Sequence, residues 1–142
     1  CAWLRRKALF DMAARVGCNK LALAHHADDV AETALMNLFY SATFRTMEAR
    51  MPFFGGRFEL IRPLVYVEER DIVSFAVASG YPLEGDLCPE GATSRRVTVR
   101  GILQQLEKDS HGVRRRVCAA GEHAQEDLLR AVRKHLPDDL AS

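Results

Sequence analysis

Four titratable side chains stand together where an apolar stretch of the sequence meets a helical one. In LALAHHADDVAET, residues 21–33, they are His25, His26, Asp28 and Asp29. Polar groups are costly to bury without partners, so we expect this cluster at an edge of the fold that a polar ligand can reach. Aspartates there can hold a Mg²⁺ ion that bridges phosphate oxygens, and the N–H groups that begin the following helix suit phosphate. The segment therefore predicts nucleotide chemistry.

A simpler interpretation covers part of the same segment. Asp29 and Glu32 have the spacing of a capping box with Asp in place of Ser, and such an N-cap stabilises a helix by about 1 kcal/mol without any ligand. The cap accounts for one aspartate and one glutamate. It leaves Asp28, His25 and His26 unexplained. We therefore favour nucleotide chemistry and keep the cap as the alternative.

The elements that must position this cluster indicate an α/β fold. Residues 20–24 are typical of a short buried strand, residues 29–46 carry a broad apolar stripe that predicts a helix against a sheet, and residues 58–61 predict a second strand. Strands that alternate with helices over short links indicate a parallel sheet with flanking helices. Helices are also predicted at 2–16, at about 68–79 with Ile72, Phe75 and Ala76 as its core face, after 94, and at 113–136 as one helix or two; loops are predicted at 47–57 and 81–94.

The start of the chain predicts that it is a piece of a longer protein. It begins at Cys1 rather than methionine and enters an apolar helix at once. Two strands are too few for a stable sheet domain, so we expect further strands upstream.

Composition narrows the class of protein. The 142 residues are 48% hydrophobic and 27% charged with a net charge of +1, which indicates a globular domain. No apolar run is long enough to cross a bilayer, and the four scattered cysteines argue against a secreted disulfide framework, so we expect a reducing cytoplasm. Basic clusters are more often solvated helix faces than phosphate sites; they lie at Arg5-Arg6-Lys7, Arg95-Arg96-Arg100 and Arg114-Arg115-Arg116.

One further residue, Arg62, has two interpretations, and two cysteines are expected to be structural. Arg62 is held extended before Pro63 and either reaches a phosphate or pairs with Glu59. Cys18 follows a helix end and is expected to be a small buried residue. Cys118 lies in a helical segment beside alanines and is expected to be structural as well.

An ordered set of segments resembles a known family. The chain opens with C-A-W-L-R-R at 1–6, continues with A-H-H-A-D-D at 24–29 and I-R-P-L at 61–64, and then has Cys88. Together they resemble the PP-loop ATPase superfamily, and within it the tRNA 2-thiocytidine synthetase branch, over about residues 1–105. The order of the segments is more specific than any one of them.

The resemblance implies a fold and an activity. The fold would be a Rossmann-like, adenine nucleotide alpha hydrolase-like sheet with flanking helices, a partial domain over residues 1–88, with a helical extension over 89–142. The activity would be ATP-dependent adenylation of the C2 carbonyl of a tRNA cytidine and replacement of its oxygen by sulfur. Implied partners are tRNA and a sulfur donor system, without a membrane; a homodimer is one oligomeric state that the resemblance leaves open.

The resemblance also implies roles for particular residues. Asp28 and Asp29 would be catalytic, as metal ligands or general bases, with ATP and Mg²⁺. A [4Fe–4S] cluster would be held by three cysteines, two of them Cys1 and Cys88. The ATP contacts would come from Ala24, His25, His26 and Arg62, and the RNA contacts from Arg5, Arg6, Arg95 and Arg96.

The chain also departs from the family pattern, and rivals stay open. The phosphate-binding S-G-G-x-D-S loop of the superfamily is absent, so the polypeptide by itself is expected to lack ATPase activity. One rival is a PP-loop amide ligase like tRNA-lysidine synthetase, which needs no cluster. The other is a non-enzymatic RNA-binding module in which the cysteines hold structural zinc.

Overall fold

The computed structural model describes residues 2–82 and 95–135 of the chain. The chain folds into two compact units. Unit 1 comprises residues 1–26 and 48–67, and unit 2 comprises residues 27–47 and 68–142. The elements in chain order are α1 (Ala2–Arg15), β1 (Lys20–Ala22), α2 (Ala27–Ser41), β2 (Arg50–Phe53), β3 (Phe58–Ile61), α3 (Glu69–Ala78), α4 (Arg95–Asp109) and α5 (Val113–His135).

Unit 1 is a three-stranded sheet covered by α1. β1 pairs parallel to β3, with Leu21 opposite Leu60, and β2 pairs antiparallel to β3. Side chains alternate between the two faces of a strand, so one face of β3 presents apolar residues to α1. The core of the unit consists of Phe10, Ala13, Phe58 and Leu60.

The sheet is mixed, whereas the sequence predicted an all-parallel one with a loop over residues 47–57. That loop contains β2, which the sequence interpretation missed because Pro52 and the Gly55-Gly56 pair indicated a turn. Proline lacks a donor for the sheet ladder but is accepted in an edge strand, and β2 is at the edge of the order β1-β3-β2. The predicted fold class, Rossmann-like with flanking helices, is confirmed by the structural comparison below.

Unit 2 is a helical assembly around α2. The apolar stripe of α2 packs against α4 and α5, with Ala31, Leu35, Val99 and Leu103 at its centre. Residues 113–135 form one helix rather than two. In α3 the predicted core face is wrong for Phe75, which is 67% exposed. None of the residues of α3 is buried by the part of the chain that the structure describes.

The two described cysteines have opposite environments. Cys18 is exposed, so its predicted burial is wrong: it follows the end of α1, at Gly17, where no neighbouring element covers it among the described residues. Cys118 is half-buried beside the core of unit 2, as a structural residue should be, and its thiol donates to the carbonyl oxygen of Ala27 at 3.4 Å. Burial raises the pKa of the Cys118 thiol to about 11.

These environments predict a difference in alkylation. At pH 8 iodoacetamide is expected to modify Cys18 at least tenfold faster than Cys118, because only the thiolate reacts and Cys118 remains protonated at that pH. Peptide mass spectrometry after a timed quench measures the two rates separately. Unfolding in urea should remove the difference. Equal rates in the folded protein would contradict the described environment of Cys118.

None of the helices within residues 2–82 and 95–135 is long and apolar enough to span a bilayer. The predicted domain boundary at residue 88 falls outside these residues and remains a prediction.

Candidate functional site

The two predicted catalytic aspartates lie in the first turn of α2. The helix begins at Ala27, so Asp28 and Asp29 are its second and third residues, at the end where the helix dipole favours negative charge. Their side chains are only 10% and 13% exposed. Two carboxylates with so little contact with water need charged or hydrogen-bonding partners in the folded protein.

Asp28 connects the start of three helices. Its Oδ1 lies 2.7 Å from Nε of Arg114 on α5, and its Oδ2 accepts the backbone N–H of Glu69 on α3 at 2.8 Å. Glu68, which precedes α3, makes no side-chain cap of its own, so Asp28 satisfies one of the free N–H groups at that helix end. The carboxylate therefore positions α3 and α5 relative to α2.

The loop between α4 and α5 fixes the position of Arg114. Glu107 accepts the backbone N–H of Gly112 at 2.5 Å and that of Arg114 at 3.3 Å. The hydrogen bond from Gly112 is the main cause that lowers the pKa of Glu107. These hydrogen bonds fix the backbone at Arg114. Its side chain is only 22% exposed, and its guanidinium contacts Asp28.

Asp29 and Glu32, one turn apart on α2, face two arginines one turn apart on α4. Nη1 of Arg96 lies 3.1 Å from Oδ1 of Asp29, and Nε of Arg100 lies 2.6 Å from Oε1 of Glu32. Nε of Arg96 is also 3.6 Å from Oε2 of Glu32, whose side chain is 3% exposed. The hydrogen bond with Glu32 raises the pKa of Arg100. The two helices are thus joined by a ladder of charge-assisted contacts.

The capping box that we kept as the alternative is not formed. Asp29 lies inside α2 rather than at its N-cap, and Glu32 turns to Arg100 instead of returning to the N–H of Asp29. The helix begins two residues earlier than the sequence indicated, at Ala27, and both Ala27 and Asp28 are buried in it.

In the basic cluster at the start of α5, Arg114 is largely withdrawn from solvent, whereas Arg115 and Arg116 are exposed and make surface contacts. Nε of Arg115 lies 2.7 Å from Oε1 of Glu68, and Nη2 of Arg116 donates to Oγ of Ser110 at 2.8 Å. Sequence reasoning missed Arg100, Arg114 and Arg115 as partners. A signal was present for Arg100, because Arg96 and Arg100 have the spacing of one helix face that matches the acidic face of α2.

The predicted nucleotide contacts in unit 1 follow β1. The hydrogen bond from the N–H of Leu23 to the carbonyl of Ile61, 2.9 Å, extends the β1–β3 ladder by one residue. Beyond it Ala24 is exposed, and His25 and His26 are half-buried. These two histidines directly precede Ala27, the first residue of α2.

Arg62 does not pair with Glu59, so that alternative is wrong. Glu59 pairs with Arg50 at 2.7 Å, since residues 59 and 62 point to opposite faces of an extended chain. Nη1 of Arg62 donates to the carbonyl of Glu48, while its Nε is buried without a hydrogen-bond partner among the described residues. Burial, and secondarily the nearby Arg6, lowers the pKa of Arg62.

The remaining predicted residues are spread over both units. Arg5 and Arg6 are exposed on α1, and the guanidinium carbon of Arg95 lies 4.8 Å from the centre of the Tyr40 ring. Cys1 and Cys88, the predicted cluster ligands, lie outside the described residues. Within residues 2–82 and 95–135 no group of three His, Cys, Asp or Glu side chains could hold a metal ion.

A cavity of about 470 Å³ lies beside Asp28 in unit 2. Asp28 and Arg114 form one wall, and Glu69, Arg70 and Ser74 from α3 form another. The cavity therefore presents both a carboxylate and guanidinium groups.

Comparison with known proteins establishes the family of this chain. The sequence profile of the PP-loop domain matches residues 3–107, and the chain belongs to that family. Among curated proteins it is 43% identical over 131 residues to the tRNA-cytidine(32) 2-sulfurtransferase of Geobacter sulfurreducens, which covers 91% of this chain and 51% of the relative. It is 41% identical over 127 residues to the protein of that name from Geobacter metallireducens, with 88% and 49% covered.

A solved structure agrees with the sequence relatives. The U34-tRNA thiolase NcsA from Methanococcus maripaludis with its [4Fe-4S] cluster superposes with a TM-score of 0.72 at 25% identity, over 89% of this chain and 43% of that one. The resemblance to PP-loop thiolases stated from the sequence is thus confirmed. The chain spans about half the length of the curated relatives that it matches.

Proposed function

We propose that this chain is part of an ATP-dependent tRNA sulfurtransferase that converts a cytidine of tRNA to 2-thiocytidine, at position 32 as in its named relatives. The observation that carries the proposal is the 43% identity over 91% of this chain to such an enzyme. The thiolase neighbour supports it from the fold. The relatives favour sulfur transfer over the amide-ligase and zinc-module rivals.

The reaction needs two bond exchanges. The C2 carbonyl oxygen of cytidine forms a bond to the α-phosphorus of ATP, and the bond to the β-phosphate breaks to release pyrophosphate. Sulfide then adds at C2, its proton is lost, and AMP leaves with the former carbonyl oxygen, so that no oxidant or reductant is needed. Activation is required because AMP is a much better leaving group than a ring carbonyl oxygen. Charge accumulates on the phosphates, so cations and oriented dipoles lower the barrier.

The described residues supply parts of this chemistry. The N-terminus of α2 offers N–H groups to a phosphate, and Asp28 and Asp29 supply carboxylates there. Arg114 from α5 and Arg96 from α4 hold those carboxylates in place. We propose that Ala24, His25, His26 and Arg62 contribute the ATP contacts and that Arg5, Arg6, Arg95 and Arg96 contribute RNA contacts.

These residues fit Mg²⁺ only if phosphates and water supply part of its coordination. Without a cluster of three metal-binding side chains among the described residues, the ion would take one or two carboxylate oxygens from Asp28 and Asp29 and the rest from phosphates and water. Held in this way, Mg²⁺ would neutralise charge on the phosphates. The carboxylates would have to share their oxygens between arginine and ion.

We propose Cys1 and Cys88 as two of the three cysteine ligands of a [4Fe–4S] cluster. The cluster, when bound, supplies an open iron position for sulfur. A sulfur donor, a homodimer, cytoplasmic localisation and the domain boundary at residue 88 belong to the same proposal. They rest on the sequence and on the family resemblance.

The decisive experiment is thiolation by the full-length protein. Anaerobically reconstituted protein with ATP, Mg²⁺, sulfide and tRNA should yield 2-thiocytidine by mass spectrometry of nucleosides, and no product without ATP. A lysine adduct on cytidine would support the amide-ligase rival instead. Binding of zinc without iron or sulfide would support the structural module.

The cluster ligand has its own test. Cys88→Ala is expected to remove the brown iron–sulfur absorbance after anaerobic reconstitution, because two thiolates hold a cluster poorly. Cys18→Ala is the matched control, since Cys18 is exposed beyond the end of α1 and should leave the spectrum unchanged. An unchanged spectrum in Cys88→Ala would remove that residue from the ligand set.

A further inference from the structure

The net charge of +1 conceals two units of opposite charge. Unit 1 contains eight lysines and arginines against three aspartates and glutamates, a formal charge of +5. Unit 2 contains twelve against sixteen, a formal charge of −4. A compact unit with a strong positive excess attracts polyanions, and nucleic acid is the polyanion that also offers flat aromatic rings.

Unit 1 also carries an aromatic cavity that its own core does not fill. The cavity measures about 530 Å³ and lies between α1 and the turn that joins β2 to β3, with walls of Arg6, Lys7, Phe10, Asp11, Phe53 and Phe54. This volume is large enough for a nucleobase with part of its sugar. Lys7 and Asp11 pair with each other at 2.8 Å, so that among the described residues Arg6 is the remaining charge of the wall.

Phe54 is an exposed ring held in a defined position. It is 67% exposed, yet its ring centre lies 5.5 Å from that of Phe10 in an edge-on contact and 6.2 Å from that of Phe53. Its φ of 53° lies in the left-handed region, which is unfavourable for a bulky residue. The turn thus accepts both strain and an exposed apolar ring, a cost that an interaction with a ligand would offset.

Two arginines lie near the aromatic cavity. The guanidinium carbon of Arg57 lies 5.7 Å from the centre of the Phe58 ring, next to the cavity. Arg6 lines the cavity and is also close enough to Arg62 to lower the pKa of that residue. Aromatic platforms interleaved with arginines are the usual means of binding single-stranded RNA, with bases stacked and phosphates paired.

We propose that unit 1 binds a single-stranded segment of RNA, with one base stacked on Phe54 in the aromatic cavity and the adjacent phosphate on Arg6. The inference rests on the proposed function, because the RNA would be the tRNA substrate. It assigns to the β2–β3 turn a role in holding an unpaired loop of that tRNA. A hydrophobic protein partner is a weaker candidate, since it would gain nothing from the charge of +5.

Phe54→Ala in the full-length protein tests the stacking contact. The dissociation constant for a tRNA anticodon stem-loop, measured by fluorescence anisotropy at fixed salt, is expected to rise about tenfold, the usual loss for one stacked base. Phe54→Trp should retain binding. Phe75→Ala is the matched control, because Phe75 is also 67% exposed but lies on α3 in the negatively charged unit, and its affinity should stay within twofold.

Charge and folding are followed in parallel. Arg6→Glu should weaken binding and lower the dependence of log K on log salt by about one. Melting temperatures identify a variant that fails to fold. If Phe54→Ala does so, the inference is tested by Phe54→Trp, which should retain RNA binding, and by Arg6→Glu, which should weaken it. Equal affinity of the Phe54→Ala and Phe75→Ala variants would overturn the inference. So would a Phe54→Ala variant that dissociates an oligomer but binds RNA unchanged.

The failure of this inference differs from failure of the proposed function. If the wild-type protein thiolates tRNA and Phe54→Ala leaves the KM for tRNA unchanged, the RNA site is elsewhere and the function stands. If the wild-type protein neither binds nor thiolates tRNA, the function itself fails and the inference fails with it.

Discussion

Replacing Arg100 with alanine is expected to lower the free energy of unfolding by about 2–4 kcal/mol. The mutation leaves the carboxylate of Glu32, 3% exposed, without its partner at 2.6 Å. Loss of one member of a buried ion pair commonly costs about 3–5 kcal/mol, and here Arg96 at 3.6 Å from Glu32 offsets part of the loss. Urea denaturation followed by circular dichroism measures the change.

Two further variants separate burial from charge. Arg50→Ala removes an ion pair of similar length, 2.7 Å, from an arginine whose side chain is 71% exposed, and should cost less than about 1 kcal/mol. Arg100→Ala combined with Glu32→Gln should recover part of the loss, since a neutral amide is less costly to bury than an unpaired carboxylate. Equal costs for Arg100→Ala and Arg50→Ala would contradict the described burial of Glu32.

Asp28→Asn is expected to lower kcat/KM for tRNA thiolation by about 100-fold or more, the usual loss when a charge that stabilises the transition state is removed. The amide preserves the shape of the side chain and can still accept the N–H of Glu69. It loses the negative charge with which, in the proposed function, Asp28 would hold the Mg²⁺ that neutralises the reacting phosphates. Asp29→Asn should behave in the same way. Steady-state thiolation by the full-length protein measures both.

Arg114→Gln distinguishes chemistry from packing at Asp28. It removes the same 2.7 Å ion pair but leaves the carboxylate, so it should destabilise unit 2 about as much as Asp28→Asn while reducing kcat/KM less than tenfold. If Asp28 serves only to join α2, α3 and α5, both variants would lose activity in proportion to their loss of stability. That result would make Asp28 a structural residue.

Local pattern determined the helices and the two parallel-paired strands of this protein. The apolar stripe of α2 predicted its burial. Helical spacing also predicts one apolar face on α4, of which Val99 and Leu103 are buried whereas Ile102 and Leu106 are 40% and 43% exposed. Such periodicities arise within one element, so they can be seen without the rest of the fold. β2 was missed because Pro52 is acceptable only at a sheet edge, and the position of a strand in a sheet is not a local property.

The family could also be determined from the sequence by itself. The cluster at Ala24–Asp29 followed by Ile61–Leu64 was sufficient, because short segments in a fixed order are specific even when each is weak. The predicted PP-loop membership agrees with the match over residues 3–107.

The partners of the charged residues were decided only by the tertiary structure. The sequence placed Asp28 and Asp29 where a turn meets a helix, but Arg114 and Arg96, 86 and 67 residues further along the chain, were brought to them by helix packing. The exposure of Phe54 beside the cations of unit 1 is likewise a result of folding. Long-range pairing depends on which helix faces meet, and many faces of one sequence carry arginines that could meet an acidic turn. The sequence therefore determines which groups can react, and the packing of the elements decides which of them are held together.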